Sequence, residues 1–178
     1  MNDRGVALVG YRGAGKSTIG PRLAARLGRP FVDLDAEVER AAGQPIASIF
    51  AAAGESAFRD LEAATLETVV ADRPGCVLAT GGGVVLRPSN RAALQRHGLV
   101  VWLRADAAIH AARLAADPAG RPSLTGRGLV EEVSEVLTAR APLYRDLADV
   151  EIDTGACDPE TAARRIAETW ATTPRGPR

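Results

Sequence analysis

Residues 5 to 19, Gly5-Val6-Ala7-Leu8-Val9-Gly10-Tyr11-Arg12-Gly13-Ala14-Gly15-Lys16-Ser17-Thr18-Ile19, decide the fold. Five apolar-to-small residues of strand length run straight into the pattern G-x-x-x-x-G-K-S at 10 to 17. A helical period begins at once, with Ile19, Leu23 and Leu27 at four-residue spacing on one face. Strand, glycine-rich turn and helix in that order make a phosphate-binding loop. The glycines let the backbone turn tightly, so that the N–H groups of Gly13, Ala14, Gly15, Lys16, Ser17 and Thr18 and the positive end of the following helix converge on phosphate oxygens. Lys16 is expected to bridge those oxygens, and the Ser17 hydroxyl to bind Mg²⁺.

Composition supports this reading of Lys16. The 22 basic residues comprise 21 arginines and one lysine, and the lysine is Lys16. A phosphate cradle needs a compact ammonium, where a planar fork is too large. Basic and acidic residues balance at 22 each, so no net field draws in nucleic acid or an anionic membrane. Cys76 and Cys157 have no metal-ligand spacing and suit a reducing compartment. Neither a leader nor a span of membrane-crossing length stands out, and the expectation is a cytoplasmic protein, monomeric, with no nucleic-acid or membrane partner.

Working outward from the loop, apolar runs of strand length recur at residues 31–32, 76–79, 99–103 and 150–152. Between them lie helical patterns at 16–27, 55–71, 88–96, 106–115, 129–147 and 158–171. That alternation predicts a three-layer α/β/α fold on a five-stranded parallel sheet. At 178 residues the chain is expected to form one domain over 1–172, with a tail at 173–178. Residues 117 to 128 hold three Gly, two Pro and two Arg and read as a mobile loop.

A phosphate loop alone leaves the acceptor open. Asp33 and Asp35 stand two apart at the end of a predicted strand, where open α/β sheets place ligands. If the strand continues, both point the same way, one toward metal-bound water and the other toward an attacking hydroxyl. Alternatively, Asp35 caps a helix starting at Ala36. The apolar run 76–79 leads into Thr80-Gly81-Gly82-Gly83, where a GTPase or ATPase usually carries a metal-binding Asp; three glycines instead allow backbone to approach a small ligand closely. Arg140 lies amid the apolar face Val133, Val136, Leu137, Tyr144 and Leu147, so it needs a partner, which a bound anion or a structural carboxylate would serve equally. Pro142 is expected to kink or restart that helix.

The phosphate loop, Asp33-x-Asp35, Phe58-Arg59, Gly81-Gly82-Gly83, Arg121-Pro122 and Arg140-x-Pro142-Leu143-Tyr144, in this order, resemble the shikimate kinase family over nearly the whole chain. The resemblance implies a nucleoside-monophosphate-kinase type of fold with a closing lid (about 116–128), and transfer of the ATP γ-phosphoryl group to the 3-hydroxyl of shikimate. It implies Asp35 as the hydroxyl contact and base, Arg59 and Arg140 as the clamp on the substrate carboxylate, and Gly82 and Gly83 as backbone contacts. It further implies Ser17 and Asp33 as the Mg²⁺ residues, Arg121 as the lid arginine over the phosphates and Arg113 as the adenine-side arginine. The family's usual adenine-contacting Arg or Lys after the last strand is replaced by Asp153-Thr154-Gly155-Ala156, so no base-contacting side chain is assigned there. Read without the family, Arg59 would instead pair with Glu55 or Glu62 along its helix. A gluconate-type kinase and a non-catalytic sensor on the same fold are the competing readings; the acceptor motifs oppose the first, and the complete phosphoryl-transfer set opposes the second.

Overall fold

The computed structural model describes residues 4–116 and 128–173. Strands β1 (Gly5–Val9), β2 (Phe31–Asp33), β3 (Val77–Ala79), β4 (Gly98–Arg104) and β5 (Val150–Asp153) form one sheet in the order β2-β3-β1-β4-β5. Every pairing is parallel, and β1 sits at the centre between β3 and β4. The helices are α1 (Lys16–Leu27), α2 (Leu34–Ala42), α3 (Ile46–Asp72), α4 (Pro88–His97), α5 (Ala107–Ala115), α6 (Leu129–Leu147) and α7 (Pro159–Thr172).

Side chains alternate across the sheet, so β1 divides its apolar residues between two layers. Val6 and Leu8 pack with Ile19 and Leu23 of α1 and with Ala162, Ala163 and Ile166 of α7. Ala7 and Val9 face the other layer, among Leu66 and Val69 of α3, Ala93 and Leu94 of α4, and Tyr144 and Leu147 of α6. Burial of one such side chain contributes about 1.5–3 kcal/mol, which is why strands of only three to seven residues hold their places. A third cluster of Tyr11, Ala111 and Val133 fastens α5 and α6 beside the phosphate loop. No helix among the described residues is long and apolar enough to cross a membrane.

Three local expectations change. The chain does not continue as a strand past Asp33: α2 begins at Leu34, because Leu34 and Val38, one turn apart, are both fully buried. The predicted helix at 55–71 starts earlier, at Ile46, where Ile46 and Ile49 bury, and is broken at Gly54, whose φ of 77° and ψ of 178° are non-helical. Pro142 does not restart α6, which runs through as a single helix; Pro142 lies on the exposed side, where water can satisfy the carbonyl that loses its donor. Arg121, the rest of the expected lid apart from Ala116 and Gly128, and the tail beyond Thr173 lie outside the described residues.

Candidate active site

The strand order brings the C-terminal ends of β1, β2 and β3 together, and each leads into a polar segment. From β1 comes the phosphate loop. Gly15 is the N-cap of α1 with φ 94°, a left-handed conformation suited to glycine. It offers no side-chain cap, and the first turn carries no acidic residue, so the helix N-terminus keeps its positive end for an external anion. Lys16 Nζ donates to the carbonyls of Gly10 at 2.7 Å and Tyr11 at 2.8 Å, which folds its side chain back over the loop. Burial lowers its pKa to about 8, opposed by Asp35 and then Asp33. The loop is buttressed from α5: His110 Nδ1 donates to the Arg12 carbonyl at 2.9 Å, and its ring meets Tyr11 edge-on.

The two aspartates at the end of β2 have different geometry. Asp33, not Asp35, is the N-cap of α2, accepting from the Asp35 N–H at 3.0 Å. Its other oxygen accepts from the Ser17 hydroxyl at 3.1 Å. Ser17 and Asp33 could thus hold Mg²⁺ together with nucleotide oxygens and water, the few-ligand arrangement that this ion prefers. Among the described residues no cluster of three His, Cys, Asp or Glu side chains forms a separate metal site. Asp35, in the first turn of α2, points instead toward the glycine turn after β3.

That turn is where the remaining polar residues meet. A Cβ on Gly81 would lie 2.9 Å from Asp35 Oδ1 and 3.0 Å from Glu62 Oε1, and one on Gly83 would lie 2.2 Å from Arg59 Nη2. Glycine is required here by close approach, not by positive φ; Gly83 has φ −99°. Arg140 Nη1 donates to the Gly82 carbonyl at 3.1 Å, and the Tyr144 hydroxyl donates to the same oxygen. Gly82 also lies against the backbone of Gly10, Tyr11 and Arg12, which joins this cluster to the phosphate loop.

Arg59 makes both of the ion pairs expected from its helix position, to Glu55 at 3.1 Å and to Glu62 at 2.9 Å. They differ in kind: Glu55 is exposed, whereas the Glu62 side chain is 1% exposed and holds the guanidinium over Gly83. Among the described residues, Arg140 donates to a backbone carbonyl, that of Gly82. Glu62 and Tyr144 were not singled out from sequence as site residues. Glu62, three residues after Arg59, gave an available signal; its buried Oε1 has no hydrogen-bond partner, and burial raises its pKa, opposed by Arg59. Tyr144 looked like a core residue, and it is fully buried, with its hydroxyl pKa raised to about 12 by burial.

At the other side of the loop a cavity of about 340 Å³ opens between α1, α5 and the segment after β5. Arg113 lines it and binds the Gly13 carbonyl, Thr154 Oγ1 and the Thr154 carbonyl. Gly13, Ala14, Gly15 and Thr18 form its phosphate-loop wall. An uncapped helix end, a lysine, and an adjoining cavity fit a nucleotide with its phosphates in the loop.

Comparison with known proteins is consistent with this arrangement. The sequence profile described as shikimate kinase matches residues 12–171. A shikimate kinase of Nitratidesulfovibrio vulgaris is 50% identical over 145 residues, 80% of this chain and 82% of its own length. Shikimate kinase 2 of Yersinia enterocolitica is 47% identical over 150 residues, 83% and 85% of the two chains. The structure of shikimate kinase from Acinetobacter baumannii in complex with shikimate has a TM-score of 0.87 at 36% identity, covering 95% of this chain and 93% of that one. A profile match over nearly the whole chain, close relatives and the same fold together mean that this protein belongs to the shikimate kinase family.

Proposed function

We propose that the protein transfers the γ-phosphoryl group of MgATP to the 3-hydroxyl of shikimate, yielding shikimate 3-phosphate and ADP. The observation that carries this reading is the convergence of Asp35, Arg59 and Arg140 on the Gly81–Gly83 turn, directly against the phosphate loop. Two arginine forks on one side suit a planar carboxylate, and a carboxylate on the other suits a hydroxyl. Glu62 orients Arg59, while Arg140 and Tyr144 fix the Gly82 carbonyl and with it the shape of the turn. Lys16 and the uncapped end of α1 would hold the phosphates, Ser17 would ligate Mg²⁺, and Asp33 would orient the ion's water. Mg²⁺, when bound, neutralises charge on the β- and γ-phosphates.

In a loose phosphoryl-transfer transition state little covalent assistance is needed. Asp35 therefore acts mainly by aiming the hydroxyl at the γ-phosphorus, and takes its proton late. Arg121, in the segment read from sequence as a lid, completes the proposed phosphate contacts and excludes water when the substrate is bound. We further read the protein as a cytoplasmic monomer, in keeping with its two free thiols.

The test is ADP release from MgATP with shikimate, with gluconate and with no acceptor. Release that requires shikimate is expected. Release with gluconate alone would replace the substrate, and no release from protein that binds MgATP would favour a sensor.

A further inference from the structure

His110 is fully buried on α5, whose Ala111 packs against Tyr11 of the phosphate loop. Its Nδ1 lies 2.9 Å from the Arg12 carbonyl, and its Nε2 is buried with no hydrogen-bond partner among the described residues. A carbonyl oxygen only accepts, so Nδ1 carries the proton. Burial lowers the pKa of the ring below 6.5, opposed by the bond to Arg12 and assisted by the charges of Lys16 and Arg113, which keeps the ring neutral at pH 7. An unpaired ring nitrogen in the core costs free energy that a leucine in the same place would not. What the imidazole supplies and a hydrocarbon does not is the N–H to the loop.

That bond fixes the direction of one peptide. In a planar trans peptide the C=O and N–H point opposite ways, and the Arg12 carbonyl shares its peptide with the Gly13 N–H. With the carbonyl held toward α5, the Gly13 N–H faces away from that helix. The next peptide is held from the same side: Arg113, one turn after His110, donates to the Gly13 carbonyl at 3.0 Å, while the Ala14 N–H donates to the Tyr11 carbonyl at 3.2 Å. Gly13 itself rests on α5, since a Cβ there would lie 3.5 Å from the His110 carbonyl and 3.7 Å from its Nδ1. Glycine has the most conformations to lose, so a support at this point removes an ordering cost that phosphate binding would otherwise bear.

We propose that His110 is a positioning residue for nucleotide binding: its Nδ1–H holds the Arg12–Gly13 peptide so that the Gly13 N–H is turned into the phosphate site before the nucleotide arrives. The proposal rests on the reading of the loop as the phosphate site and is independent of the acceptor. His110 touches no phosphate itself and acts through the backbone of Arg12 and Gly13.

The experiment is calorimetric titration of the full chain with MgADP. His110→Leu and His110→Met remove the donor, whereas the amide nitrogen of His110→Asn takes the place of Nδ1. Loss of one neutral hydrogen bond is expected to weaken MgADP by about three- to tenfold in the leucine and methionine variants, with the asparagine variant within about twofold of the unaltered chain. A fall in affinity that asparagine does not restore would overturn the proposal. So would unchanged affinity in all three with only the melting temperature lowered, which would make His110 a packing residue. Should neither donor-less chain fold, nitrogen NMR of the unaltered chain decides: an Nδ1–H resonance that shifts on addition of MgADP upholds the proposal, and an Nε2–H tautomer or an Nδ1–H indifferent to MgADP overturns it. An unaltered chain that binds no MgADP would sink the nucleotide reading as well.

Discussion

Adding one methyl group at Gly83 gives the sharpest test of the acceptor cluster. The new Cβ in Gly83→Ala would stand 2.2 Å from Arg59 Nη2 and 2.5 Å from both Cζ and Nη1, so the guanidinium must retreat by about 1 Å to reach ordinary contact. The backbone itself is not strained, since Gly83 has φ −99° and ψ 0°. A retreat of that size, where it is directed away from Glu62, stretches the 2.9 Å bond from Arg59 Nη1 beyond hydrogen-bonding range. Glu62 is buried, and a charge-assisted hydrogen bond of this kind contributes about 1.5–3 kcal/mol. In a chain of this size each kcal/mol shifts the melting temperature by about 2–4 °C, so a fall of about 3–12 °C is expected. Displacement of one fork of the proposed carboxylate clamp should also raise the KM for shikimate about tenfold or more, with the KM for MgATP little changed. Thermal melting and steady-state kinetics measure both. A variant with wild-type melting temperature and shikimate KM would refute the tight Gly83–Arg59–Glu62 packing and the clamp built on it.

Two further predictions concern protons. Lys16, with its pKa lowered to about 8, binds phosphate as an ammonium, so the nucleotide-bound state raises that pKa. Affinity for MgADP is therefore full below about pH 8 and falls by up to about tenfold per unit above it, with proton uptake detectable calorimetrically in buffers of different ionisation heat; affinity that stays level to pH 9.5 would contradict the assignment. His97 is buried at the far end of the sheet, its Nε2 donating to the Cys76 carbonyl and its Nδ1 without a partner, and burial lowers its pKa below 6.5. The unfolded chain then binds the extra proton first, so stability is present above pH 6.5 and is lost as pH falls from there to the folded pKa, at up to about 1.4 kcal/mol per unit. His110 shifts in the same direction, so His97→Gln should reduce the acid slope of the melting temperature without abolishing it; an unchanged slope would rule out His97 as a source.

The parts of the fold legible in the sequence were those with a period or a motif. The phosphate loop declared β1 and α1 together, and the four other apolar runs all became strands. The region from Leu34 to Gly54 was harder, because α2 is short, shows only Leu34 and Val38 as buried apolar residues, and is followed by an alanine-rich turn of helix interrupted at Gly54. Of the two readings of the aspartates, the continuing strand fails and the helix cap holds two residues earlier, at Asp33, because burial of Leu34, a tertiary effect, sets where the helix starts. In the site, spacing revealed which polar residues would gather but not how they bind one another. Arg59 showed its two helical partners in sequence, yet only the folded chain distinguishes the exposed Glu55 from the buried Glu62. The attachment of Arg140 to the Gly82 carbonyl spans 58 positions and had no local signature.

The central position of β1 carries a cost in time. Val6 pairs with Val77 on one side and Leu99 on the other, partners roughly 70 and 90 residues away along the chain. Such contacts demand closure of long loops before they return any stabilisation, which slows folding relative to a helical protein of the same length. Because the phosphate loop springs from the tip of this strand, it acquires its final shape only after β3 and β4 have docked. A nascent chain emerging from the ribosome would thus hold no nucleotide until well past its midpoint, and recovery of nucleotide binding during refolding would track completion of the sheet.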